Sequence, residues 1–124
     1  MTPSDLESRD VHVKVPARPG YLVVARLALS AICRLTPLEH ADVADLKLAV
    51  TEAASGFVSD DCAADVTMEF TFRLRDQELQ LELAGTPVAA PTDELDLSRA
   101  ILEATVDDVE LDSGRARLVK RLAG

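Results

Sequence analysis

Val11, Val13 and Val15 alternate with His12 and Lys14, the period-2 pattern of a strand with one face in the core, and Pro16 ends it. The period then changes. Between Tyr21 and Leu35, Leu22, Ala25, Leu29, Ile32 and Cys33 fall on one stripe of a 3.6-residue helix, with Arg26 and Arg34 off it. Thr36-Pro37-Leu38-Glu39 has the form of a helix start, a hydroxyl cap followed by proline and a glutamate that can reach back. It predicts a second helix from about Pro37 to Val58 with the stripe Val43, Leu46, Val50, Ala53 and Phe57. The join between the two helices is so short that they must pack as neighbours. Asp65 to Arg75 alternates Val66, Met68, Phe70, Phe72 and Leu74 with polar residues, and Asp76-Gln77 predicts a tight turn into Leu79, Leu81 and Leu83. Gly85 to Asp96, rich in small residues, prolines and acids, reads as a loop. A short helix from Leu97 to Ala104, a strand from Val106 to Leu111, a Ser113-Gly114 turn and a strand from Arg115 to Leu122 complete the chain. The order β, α, α, β, β, α, β, β predicts an α+β fold: a two-layer α/β sandwich, its sheet mainly antiparallel, with helices on one face and the other face wet.

With 124 residues there is material for one core, so a flexible N-terminus over 1–10 and a single domain over 11–124 are expected. A net charge of −9, from 22 acidic and 13 basic residues, argues against nucleic acid as a partner. The basic residues Arg115, Arg117, Lys120 and Arg121 would be split between two strand faces as solvated surface. No run of 18 apolar residues is present, so no membrane span is expected, and a cytoplasmic location is the default reading. Cys33 and Cys62 lack a CxxC spacing and read as free thiols, Cys33 within a helix core. His12 and His40 lie far apart and suit neither a metal site nor a general base.

The run DLKLAVTEAASGFV from Asp45 to Val58, set in this element order, resembles the GHKL (Bergerat-fold) ATPase domain in its anti-sigma-factor serine kinase branch. The likeness extends to the opening strand ending in Pro16-Ala17-Arg18-Pro19, to Arg26 on the first helix and to the closing elements from Ile101 to Leu122. In that family a Glu and, four residues later, an Asn face one nucleotide pocket; the Glu polarises the attacking group and the Asn ligates magnesium. Glu52 stands at the Glu position and Gly56 at the Asn position. Glycine ligates nothing, although it would also suit a close approach of neighbouring backbone. The family's D-x-G-x-G corresponds to Glu82-Leu83-Ala84-Gly85-Thr86-Pro87, where Gly85 is the one glycine and the Asp is missing. The glycine-rich lid would fall near Asp93 to Ala100, which holds no glycine and carries Asp93, Glu94 and Asp96.

The resemblance implies a regulatory module that binds a sigma factor or an anti-anti-sigma antagonist through Arg26. ATP and magnesium, the family's cofactors, are expected to be absent from its working cycle. An active serine-protein kinase using Glu52 as base is the alternative. A third reading is a subunit that only dimerises in a larger stress-signalling complex, and a homodimer is left open.

Overall fold

The computed structural model describes residues 9 to 122 apart from 62, 64 and 76. The expected turn residue Asp76 and the thiol of Cys62 therefore lie outside the described residues, as do positions 1–8 of the expected flexible terminus. The elements are β1 (Arg9–Pro16), a 3-10 turn (Pro19–Tyr21), α1 (Leu22–Cys33), α2 (His40–Ser55), β2 (Thr67–Leu74), β3 (Glu78–Ala84), α3 (Thr92–Thr105), β4 (Asp108–Asp112) and β5 (Arg115–Arg121). The strands form one sheet in the order β1-β2-β3-β5-β4, every neighbouring pair antiparallel. This is the α+β two-layer sandwich that the patterning predicts.

Strict alternation along β2 and β3 builds the core. Met68, Phe70, Phe72 and Leu74 point inward, and register sets Phe70 opposite Leu83 and Phe72 opposite Leu81. The Phe70 and Phe72 rings stack with centroids 6.4 Å apart. Ala116 and Leu118 of β5 extend this face, and it is covered by Ala25, Leu29, Ile32 and Cys33 of α1, by Leu46, Ala49, Val50, Ala53 and Ala54 of α2, and by Leu102 of α3.

The opposite face carries charge. Arg73 reaches Glu82 at 2.9 Å and Asp10 at 4.0 Å, Arg75 donates to Asp10 at 2.6 Å, and Arg117 lies between Glu82 and Glu110. The Arg75 hydrogen bond holds the Asp10 carboxyl below the usual aspartate range. Such exposed pairs each contribute little, about 0–1 kcal/mol, but they keep this face wet. Arg117 and Arg121 bind acids on it, whereas Lys120 turns to the helix side and meets Asp42 of α2 at 3.7 Å.

Several boundaries differ from expectation; the strand expected from Val106 to Leu111, for instance, runs Asp108–Asp112. Strand β1 starts at Arg9, so Arg9 and Asp10 are paired with Leu74 and Arg73 rather than loose. Helix α2 starts at His40 because Glu39 holds its N-cap position and the Glu39 N–H donates to Asp42 at 3.4 Å. Thr36 instead ends the preceding helix: its hydroxyl donates to the Cys33 carbonyl at 2.7 Å. Helix α2 stops at Ser55, which makes Gly56 its C-cap rather than an interior residue. Helix α3 begins at Thr92, five residues before Leu97, so the expected loop shrinks to residues 85–91 and Asp93 and Glu94 occupy a first helical turn, where acids favour the dipole.

Candidate functional site

Helix α2 sets Glu52 and Gly56 one turn apart, and both line a cleft of about 570 Å³ between the end of α2, the 85–91 loop and the start of α3. The wall is mainly apolar: Ala53, Phe57, Val88, Leu95, Leu102 and Leu111 contribute to it. Glu52 and Glu94 are its two charged residues, and no basic side chain is among its lining. Glu52 is half-buried, and among the described residues its carboxylate has no hydrogen-bond or ion-pair partner; Ser55 bonds only its backbone carbonyl.

Gly56 has ordinary right-handed helical angles, φ −75°, and a Cβ there would meet only the Ala53 carbonyl at 3.7 Å. The position is open, so close packing does not require glycine. Its backbone carbonyl accepts from the Val88 N–H at 2.8 Å, which ties the helix end to the 85–91 loop. Gly85 is tighter. A Cβ there would meet the Phe57 ring at 3.4 Å and Met68 at 3.5 Å, and its N–H donates to the Gly114 carbonyl at 3.0 Å. Gly114 in turn has φ +81°, and a Cβ on it would lie 3.0 Å from the Gly85 carbonyl. Here glycine serves the packing of two turns, behind Phe57. Of the three acids expected in the lid, Glu94 lines the cleft; all three are exposed.

Arg26 lies elsewhere. It is exposed on α1 and borders a groove of about 480 Å³ between α1 and α2, with Val23, Leu27, Ser30, Lys47, Leu48 and Thr51. Leu27 and Leu48 are 65% and 49% exposed. The groove thus sets two cations beside unpartnered apolar side chains. Sequence reasoning singled out Arg26 and missed Lys47, Leu27 and Leu48. The available signal was two leucines lying off the core stripes of their helices.

No family model matches the chain. Serine-protein kinase RsbW of Bacillus licheniformis is 37% identical over 73 residues, covering 59% of this chain and 46% of that protein. Serine-protein kinase RsbW of Bacillus subtilis (strain 168) is 33% identical over 73 residues, with the same coverage. The chain thus spans about half the length of the curated relatives it matches. Among solved structures, the RsbU and RsbW domains of Rv1364c from Mycobacterium tuberculosis superpose with a TM-score of 0.62 over 92% of this chain and 32% of that one, at 16% identity, a likeness of fold. In sequence, then, this chain is similar to the RsbW serine-protein kinases over about half of their length, and in fold it shares the two-layer GHKL-like sandwich.

Proposed function

We propose that the chain is a regulatory protein-binding module of the anti-sigma kind, which engages a sigma factor or an anti-anti-sigma antagonist and does not hold Mg-ATP productively. The donor set of the α2–α3 cleft carries this reading. Magnesium bridging phosphates needs oxygen ligands from the protein, and phosphates need cations or free N–H groups. Gly56 supplies no side-chain oxygen, both charged lining residues are acids, and Asp93 and Glu94 set negative charge on the helix start where a phosphate would have to sit. These residues do not fit the nucleotide.

Millimolar Mg-ATP is therefore expected to leave the melting temperature unchanged, although a ligand at 100 times its Kd adds about 2.7 kcal/mol of stability. A rise that disappears without magnesium or in Glu52→Ala would overturn this expectation, and phosphate transfer to an antagonist would then establish the kinase alternative, which the half-buried Glu52 carboxylate, without a partner among the described residues, favours.

The partner surface belongs to the α1–α2 groove. On a chain of net charge −9, Arg26 and Lys47 form a local cationic feature beside exposed Leu27 and Leu48, a match for an acidic, apolar partner face. Wild-type protein should recover a sigma factor or an antagonist from its native lysate, and Arg26→Glu should lose it with the melting temperature unchanged. Full recovery by the variant would remove Arg26 from the interface; recovery of neither class by the wild type would sink the regulatory reading.

A further inference from the structure

The α2–α3 cleft, whose residues do not fit Mg-ATP, has the build of a site for a different ligand. Its floor is apolar and buried, with Phe57, Leu102 and Ala116 drawn from the core. Its rim is apolar too: Val88, Leu95 and Leu97 line it while 38%, 53% and 63% exposed. Single exposed apolar side chains are ordinary on a protein surface, but a group of them around one concavity marks a place where something binds. The bond from the Val88 N–H to the Gly56 carbonyl fixes the 85–91 loop against the end of α2, so the cleft is already formed. Its volume of about 570 Å³ lies within the range of small-molecule sites, roughly 300–1,000 Å³.

Charge selects the occupant. Glu52 lines the cleft from the α2 side and Glu94 from the first turn of α3, and no basic side chain among the lining residues answers either. An anionic ligand would meet two like charges. A neutral apolar ligand would strip water from the half-buried Glu52 carboxylate, which has no partner among the described residues, and would return nothing to it. A cationic head with N–H donors pairs with that carboxylate while an apolar body covers Phe57, Leu95 and Leu97.

We infer that the α2–α3 cleft binds a small organic ammonium with an apolar body, Glu52 serving as its counter-ion and Glu94 adding negative field on the α3 side. The assignment rests on the cleft's not holding Mg-ATP productively, and it gives the cleft a positive role in a chain that works by binding.

Calorimetric titration tests it with three probes that share one apolar body: naphthylethylamine, naphthylethanol and naphthylacetate. The amine should bind about tenfold tighter than the alcohol, as a hydrogen-bonded charge pair allows, and the acetate should bind most weakly. Methyl resonances of Leu95 and Leu97 should shift with the amine. Glu52→Gln should bring the amine down to the affinity of the alcohol and leave the alcohol unchanged. Gly56→Leu, at a lining position where a Cβ has room, should weaken all three with an unchanged circular dichroism spectrum. Equal affinities, a preference for the acetate, an amine preference that survives Glu52→Gln, or methyl shifts confined to other parts of the chain would each overturn the assignment. So would the failure of every probe to bind, which would leave the apolar rim to a protein partner. Displacement of the amine by Mg-ATP would overturn the nucleotide-free reading and the assignment together, whereas a failed probe order with Mg-ATP inert would overturn the assignment alone.

Discussion

Cys33 shows how one side chain's chemistry follows from its depth. It is buried in the core stripe of α1, and burial pushes its thiol pKa up from the ordinary 9.0, with Lys47 pulling weakly the other way. Because the folded value lies above the unfolded one, the stabilising difference is complete at neutral pH and is lost as pH rises from about 9 through the raised value. In a Cys62→Ser background, the thiol should react with a disulfide reagent far more slowly at pH 8 in the native protein than in denaturant. Stability should also fall above pH 9 by more than it does in Cys33→Ala. Equal reaction rates in the folded and unfolded states would place the thiol at the surface.

At the scale of elements, strand β2 was the most legible part of the sequence, because period-2 alternation leaves a single register in which all four apolar side chains are buried. Phe70→Ala should therefore cost about 3–5 kcal/mol, while Thr71→Ala on the wet face should cost less than about 1 kcal/mol. Denaturant midpoints at equal m-values measure both, and similar losses would contradict the register. Boundaries were less legible where two signals compete. Thr36-Pro37 has the form of a helix start, but the structure uses Thr36 to close α1 and the Glu39–Asp42 capping pair to open α2. Thr92 to Asp96 is loop-like by composition, yet acids at a helix start interact favourably with its dipole, so α3 extends back to Thr92.

For the molecule as a whole, the fold class was readable because each element shows its period and the α1–α2, β2–β3 and β4–β5 joins are short enough to make neighbours, whereas the placing of β1 beside β2 and of β5 beside β3 depends on long-range pairing. The convergence of Glu52, Gly56 and the 85–97 region was legible only through a family resemblance; no local pattern sets residue 52 beside residue 94. The apolar character of that cleft was not legible. It arises because Val88, Leu95 and Leu111, from three separate segments, line one cleft with Phe57. The α1–α2 groove was half legible: Arg26 stands out as a charge off the stripe, whereas Lys47 joins it only through the packing of two helices.

The pairing of β1 with β2 also sets an order of assembly. Arg9 pairs with Leu74 across the sheet, so β1 has no partner in this sheet until both helices of the α1–α2 pair and the segment after them have been made. Closing so long a loop costs entropy that local contacts recover first, and the helix pair and the β2–β3 hairpin are the local contacts. The nascent chain thus carries β1 with both of its edges unsatisfied until β2 has been made. Its alternation of valine with Asp10, His12 and Lys14 puts polar side chains on one face of the waiting strand, and Pro16 removes one N–H from it.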